Sequence, residues 1–470
     1  MNADEYNERK IYSEASGASA FVDDQVSIRL NEFGVYEECL MCDEKREDID
    51  RVCYVSPNLN SDINETVVSH ELFSQHEGIS FDDRIGYYLS LYVGHVAEGD
   101  FREKASSGGM GTWIFAELFR QNMIDAVIHV KGNSNPNDPI LFRYDISRTL
   151  EEIRSGAKTK YYPVEMSQVL KLVKENPGRY AIIGIPSFIM SIRLLAMKDE
   201  VIRERIKYTV GLICGHQKSS KFCEALAWQV GIKPGQLEHI DFRKKMPGGQ
   251  ASQYGLEFVG YIDGKKTTII KPKSELLGQD WGQGFFKQLA SDFTDDVFNE
   301  TADIVLGDAW LPEYNKDYQG NNVVIIRNPE ISELVKLGRA SNKLNLDEVD
   351  VHTIFRSQAS HYRHTHDELA YRLYKKDKFG EWRPQKRVDP SKNIGLLRRK
   401  VQDLREEISI KSHVVYKEAV DSDNLDHFVR EMNILSKKYK GLYKVLVIQS
   451  KGVKGIAKAV VRRLSPKKNK

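Results

Sequence analysis

Short runs of β-branched and aromatic residues alternate with helix-length stretches through the middle of this chain. That alternation constrains the fold more than any other feature. IDAVIHV (124–130), YAIIGIP (180–186), KYTVGLIC (207–214), ADIVLGD (302–308) and NVVIIR (322–327) read as buried strands. TWIFAELFRQNM (112–123), FIMSIRLLAMKDE (188–200) and SSKFCEALAWQVG (219–231, closed by Gly231) read as helices. Strands feeding helices of these lengths predict βαβ crossovers. The fold class is therefore α/β with a mixed central sheet. YGLEFVGYIDGKKTTIIK (254–271) predicts a hairpin turning at Asp263-Gly264.

The pattern divides the chain at residues 83 and 340. Residues 1–83 are polar and irregular and hold three of the five cysteines, 84–340 carry the strand–helix series, and 341–470 form a helical arm. The arm predicts a helical hairpin or an oligomerisation element, and a homo-oligomer is compatible with it. Its last 20 residues contain eight Lys/Arg and no acid, with Val453, Ile456, Ala457, Val460, Val461 and Leu464 at one-face spacing. Such a tail suits peripheral contact with an anionic membrane surface, or a plain chain end. HYRHTHDE (361–368) reads as exposed surface rather than a metal site, and DFRKK (241–245) as a solvated charge run or a phosphate or partner contact.

Composition excludes several classes. Lys+Arg (69) against Asp+Glu (67) leaves a net charge of +2, which announces no nucleic-acid binder. The longest apolar stretch, Tyr180 to Ile192, is broken by Ser187 and Ser191, short of the about 20 residues a membrane crossing needs. The acidic, polar opening MNADEYNERK predicts no signal peptide. An odd number of cysteines in a long chain of this kind predicts reduced thiols in a cytoplasm.

KASSGGMGTWIF (104–115) sets hydroxyls and glycines directly before a helix. Glycine lets the backbone approach a ligand closely, and free N–H groups at the helix start can hold phosphate oxygens. The segment reads as an anion site or as a plain turn. SGAKTKYYP (155–163) puts Lys158 and Lys160 beside Tyr161 and Tyr162, cations and aromatic faces that suit a phosphate and a flat ring, or a solvated loop. GIPSF (184–188) and GDAWLPEY (307–314) fall at strand carboxyl ends, the edge where open α/β sheets bind ligands. GIPSF is not the G-x-S-x-G elbow of a serine hydrolase. His216 in CGHQKS and Asp308 are candidate catalytic groups, with a structural histidine and a capping acid as alternatives, and Trp310 is a candidate ring contact.

In order and spacing, SSGGMGTWIFAEL, IDAVIHV, SGAKTKYYP, YAIIGIPSFIMSIRLL, VGLICGH, DFR and ETADIVLGDAWLPEY resemble the beta subunit family of coenzyme F420 hydrogenases and dehydrogenases over residues 84–330. CGHQKS, AWQVGI and GDAWLPEY are most similar to a bacterial branch found among surface-polysaccharide genes. The resemblance implies FAD held by Ser106, Ser107, Gly108, Gly109 and Met110, with Lys158, Lys160, Tyr161, Ser187 and Trp310 completing the pocket. It implies an FAD-dependent oxidoreductase acting on, or passing electrons to, a metabolite tied to surface polysaccharide, with a small molecule or a redox protein as partner. Relatives also bind iron–sulfur clusters through cysteines where this chain has Ser187, Ser291 and Thr294, and a hydroxyl is a poor substitute for a thiolate. No cluster is expected at those positions. Cys39, Cys42 and Cys53 are then either a remnant of a degenerate ferredoxin-like segment or structural thiols. Loss of the clusters leaves a second expectation, a non-catalytic relative that keeps the pocket as a scaffold or ligand-binding module.

Overall fold

The computed structural model describes residues 1–41, 49–135, 138–214 and 216–464, with side chains described to Gln449. Two small hairpins come first: β1 (Val26–Leu30) with β2 (Tyr36–Leu40), and β3 (Ser80–Asp82) with β4 (Gly86–Tyr88). Then follow β5 (Ser90–Val96), β6 (Ala126–Gly132), β7 (Phe142–Ser147), β8 (Tyr180–Gly184) and β9 (Ile206–Leu212). β10 (Leu237–Lys244), β11 (Gly255–Ile262) and β12 (Lys265–Pro272) form an antiparallel sheet of their own. β13 (Ile304–Asp308), β14 (Asn322–Ile326) and β15 (Leu344–Glu348) return to the central sheet.

That sheet has the order β15-β5-β14-β13-β9-β8-β6-β7. Its middle, β13-β9-β8-β6, is parallel, and antiparallel pairs flank it on both sides. The architecture is thus mixed α/β, with βαβ crossovers at its centre. The period of two along each strand sorts residues to opposite faces. Val93, Ile128, Ile182, Val305, Val323 and Ile325 pack into one core, beneath Phe188, Ile189 and Ile192 of helix Pro186–Lys198. Tyr92, Val127, Ala181, Leu306, Val324 and Ile326 pack into the other, against Trp113, Ile114 and Leu118 of helix Met110–Arg120. Strands covered on both faces read as near-continuous apolar runs, which is why the sequence displays them so plainly.

The hairpin β11–β12 turns at Asp263 (φ +50°) and Gly264 (φ +75°). Both residues are left-handed, as a two-residue turn matched to strand twist requires. The arm is a helical hairpin, Leu396–Asp421 and Leu425–Leu464, and it shares a core with the β10–β12 sheet: Val401, Leu404, Phe428 and Met432 pack with Phe242 and Phe258. The amino-terminal segment is tied in likewise, Tyr6, Tyr12, Val52 and Leu59 meeting Phe293 and Leu369. Among the described residues no helix is long and apolar enough to cross a membrane. Cys39 lies on β2 and Cys53 is buried in helix Asp50–Tyr54, whereas Cys42 falls outside the described residues. Among the described residues no three His, Cys, Asp or Glu side chains converge on a metal position.

Candidate functional site

The carboxyl ends of β6, β8, β9 and β13 open into a cavity of about 290 Å³, walled by Ala105–Ser107 and Gly156–Tyr162. The two wall segments are joined: the backbone N–H of Thr159 donates to Ser106 Oγ at 2.9 Å. Ser107 Oγ donates to the Asn321 carbonyl at 3.0 Å. Gly109 has φ +92° and starts helix Met110–Arg120. Gly108 lies behind the cavity wall, where a Cβ would sit 2.6 Å from Asn322 Oδ1 and 2.7 Å from the Gly94 carbonyl. Met110 is buried in the sheet core and reaches the site only through its N–H, which donates to Asn322 Oδ1 at 3.2 Å.

Lys158, Lys160 and Tyr161 all line the cavity. Lys158 is left-handed (φ +84°) and pairs with Asp241 at 3.1 Å. Lys160 curls onto its own loop, donating to the carbonyls of Gly156 (3.2 Å) and Lys158 (2.8 Å), and burial lowers its pKa to about 8. His216 and Asp308 also face the cavity. The His216 ring stacks on Trp281 at 4.6 Å and 22°, and its Nε2 is buried without a partner among the described residues. Burial, with Lys218 and Lys287 nearby, pushes its pKa well below the usual histidine value. It is therefore a neutral imidazole at pH 7. Lys218 is buried and shifted down by the same cause, its Nζ 2.5 Å from the Phe285 carbonyl and 4.6 Å over Trp281.

Tyr161 and Trp281, with ring centroids 4.5 Å apart, separate this cavity from a second of about 530 Å³. Trp310 belongs to the second cavity, and Asp308 lines both. Two contributors escape a sequence reading. Trp281 opens a short 3-10 helix, Trp281–Gln283, far from any motif, and Arg243 of DFRKK is buried rather than solvated. Arg243 pairs with Asp308 at 2.6 Å and stacks against Tyr254 (4.5 Å) and Trp310 (5.4 Å). The histidines of HYRHTHDE are likewise not exposed: His361 lines the second cavity, and His364 is buried with Nδ1 3.3 Å from Glu368. Their helix, Val351–Thr365, turns that face inward, a tertiary fact the local pattern does not carry. Cys214 lies at the partition, and burial raises its pKa to about 12.

Ser187 is elsewhere. It lines a small void with Glu14, and its hydroxyl donates to Glu14 Oε2. Ser291 Oγ donates to Glu14 Oε1 at 2.6 Å and accepts from the Gln217 N–H at 3.0 Å. One carboxylate from the amino-terminal segment thus holds two of the hydroxyls standing at expected cluster positions. These donors do not fit an iron–sulfur cluster.

An eight-stranded mixed sheet with a glycine- and hydroxyl-lined cavity at its parallel carboxyl edge defines an α/β protein built to hold a ligand there. Two family models, for the N-terminal and the C-terminal parts of the coenzyme F420 hydrogenase/dehydrogenase beta subunit, match residues 91–171 and 178–352 respectively. Together they span more than half of the chain, which belongs to the coenzyme F420 hydrogenase/dehydrogenase beta subunit family. Membership points to an oxidoreductase or electron-transfer role. Among solved structures, a chain of the F420-reducing NiFe hydrogenase complex from Methanosarcina barkeri is similar, at 15% identity and TM-score 0.48 over 64% of this chain and 96% of that one. No curated protein matches.

A flavin is the group this family implies, and the residues fit one. Gly111, where a Cβ would find nothing nearer than Leu306 Cδ1 at 3.7 Å, leaves space above the helix start. His216 Nε2 and Gln217 Nε2, without partners among the described residues, could meet its polar atoms, and Tyr161 and the His216–Trp281 stack would border its ring.

Proposed function

We propose that the protein is an FAD-dependent oxidoreductase whose flavin occupies the cavity at the carboxyl edge of β6, β8, β9 and β13. The observation carrying this is the convergence on that edge of the Ser106–Ser107 loop, Lys158, Tyr161, His216 and Asp308. When bound, the isoalloxazine supplies reversible two-electron transfer. The residues around it have separable tasks. Ser106 and the start of helix Met110–Arg120 face the diphosphate. Trp281 and Tyr161 bound the ring, and neutral His216 offers one buried nitrogen to a ring or substrate atom. Arg243 holds the Asp308 carboxylate at the partition, so that its position is fixed before substrate arrives.

Electrons do not pass through clusters at Ser187 and Ser291, because Glu14 already binds both hydroxyls. Donor and acceptor therefore reach the flavin directly, as a small molecule or a redox protein. On this reading the substrate is a cytoplasmic metabolite linked to surface polysaccharide, the context that resemblance to the bacterial branch suggests. The test is titration of FAD into flavin-stripped protein, followed by quenching of flavin fluorescence. Saturable quenching at one equivalent is expected, and an absence of binding overturns the reading. The Glu14 knot also favours a second reading, a non-catalytic scaffold, which predicts that bound FAD cannot be turned over by any reductant.

A further inference from the structure

The second cavity, beyond the Tyr161–Trp281 partition, has a composition of its own. At about 530 Å³ it lies within the roughly 300–1,000 Å³ of small-molecule sites. Its walls come from separate parts of the chain: Asp308 at the end of β13, Tyr254 just before β11 and Lys273 just after β12, His361 of helix Val351–Thr365, and Ser436 and Lys440 of the last helix. The helical arm is thus part of the site's enclosure.

Two polar atoms on this wall have no partner among the described residues although both are buried: Gln279 Nε2, a donor, and Gln283 Oε1, an acceptor. An unmet buried amide is costly, and a bound hydroxyl relieves it from either side because it both donates and accepts. His361 adds an acceptor whose protonation the hydrogen bonds fix. Gln358 Nε2 donates to the Asp308 carbonyl at 2.7 Å, so Gln358 Oε1, 3.1 Å from His361 Nδ1, can only accept. Nδ1 therefore carries the proton and Nε2 a lone pair. Burial keeps this ring neutral, its pKa pushed down to about 4.

Trp281 and Trp310 supply apolar faces for ring C–H groups. Lys273, its Nζ 4.2 Å over Tyr254, brings a cation with no carboxylate in ion-pair contact among the described residues. We infer that this cavity binds a polyhydroxylated ring bearing a phosphate, a compound of the sugar phosphate class. The ring stacks on tryptophan, its hydroxyls meet Gln279, Gln283 and His361 Nε2, and its phosphate meets Lys273. The inference takes from the flavin reading only that this molecule is the substrate; the binding itself does not depend on it.

Calorimetric titration of the full chain with glucose 1-phosphate, glucose and inorganic phosphate tests this. Glucose 1-phosphate should bind saturably, with Trp310→Ala and Gln279→Leu each weakening it about tenfold and Lys273→Met removing its advantage over glucose. Circular dichroism of each variant confirms folding. No saturable heat with glucose 1-phosphate, equal affinity for inorganic phosphate, or indifference to Trp310→Ala would each overturn the assignment. Absorbance of the same samples reports flavin separately. Flavin without sugar binding sinks this inference alone, and sugar binding without flavin sinks only the flavin reading.

Discussion

Ser291 Oγ donates to Glu14 Oε1 at 2.6 Å across 277 residues of chain, and the other oxygen of that carboxylate accepts from Ser187. The amino-terminal segment thereby ties down both hydroxyls. Glu14→Ala leaves two hydroxyls without their acceptor in a buried setting, which costs about 1–3 kcal/mol for each unsatisfied group. Chemical denaturation should show a lowered midpoint for Glu14→Ala and a smaller loss for Glu14→Gln. A midpoint equal to wild type would mean the knot holds nothing.

Gly111→Leu tests the cavity without straining the backbone. Its Cβ has room, and only the longer side chain reaches into the cavity proposed to hold the flavin. The variant should fold with wild-type thermal stability and lose FAD on gel filtration. FAD retained at the wild-type ratio would place the cofactor elsewhere. Gly108→Val is a poorer probe, because backbone atoms of Gly94 and Asn322 already fill the position.

Arg243→Met removes the partner of Asp308 from a pair whose arginine is almost wholly buried. Breaking such a pair costs about 3–5 kcal/mol by leaving a charge uncompensated. The double variant Arg243→Met, Asp308→Asn should recover part of that loss. Failure to recover, measured by urea unfolding, would show that the two side chains act independently.

Acid should destabilise the fold early. Burial lowers the pKa of His129 to about 3 and of His361 and His413 to about 4. An unfolded histidine titrates near ~6.5, so between there and 4 the unfolded chain binds more protons than the folded one. Stability from these groups is full above about 6.5 and is lost as pH falls from there toward the folded pKa values, by about 1.4 kcal/mol per pH unit for each histidine. Urea midpoints should therefore decline from pH 7 to pH 5 and decline less in His129→Gln. Flat midpoints would contradict the burial of neutral rings.

Much of this arrangement is legible in the residues, for a physical reason. Tyr180–Gly184 and Ile304–Asp308 are covered on both faces, so they appear as unbroken apolar runs, and the loops beside the cavity follow from being at those strands' carboxyl ends. Phe142–Ser147 and Leu344–Glu348 do not stand out because they are edge strands of mixed polarity whose pairing is set by their neighbours. Arg243 and His361 look like surface residues because their burial depends on elements far along the chain. Trp310 reads as a candidate ring contact, and it lines the second cavity, across the Tyr161–Trp281 pair from the first. Ser187 and Ser291 are visible as departures from the family, but Glu14, which binds both, carries no local signal.

The absorption spectrum of the purified protein tests the central claim most directly. A visible flavin absorption band that bleaches on anaerobic reduction and returns in air is the predicted result. A colourless protein that stays colourless after incubation with FAD would contradict the account.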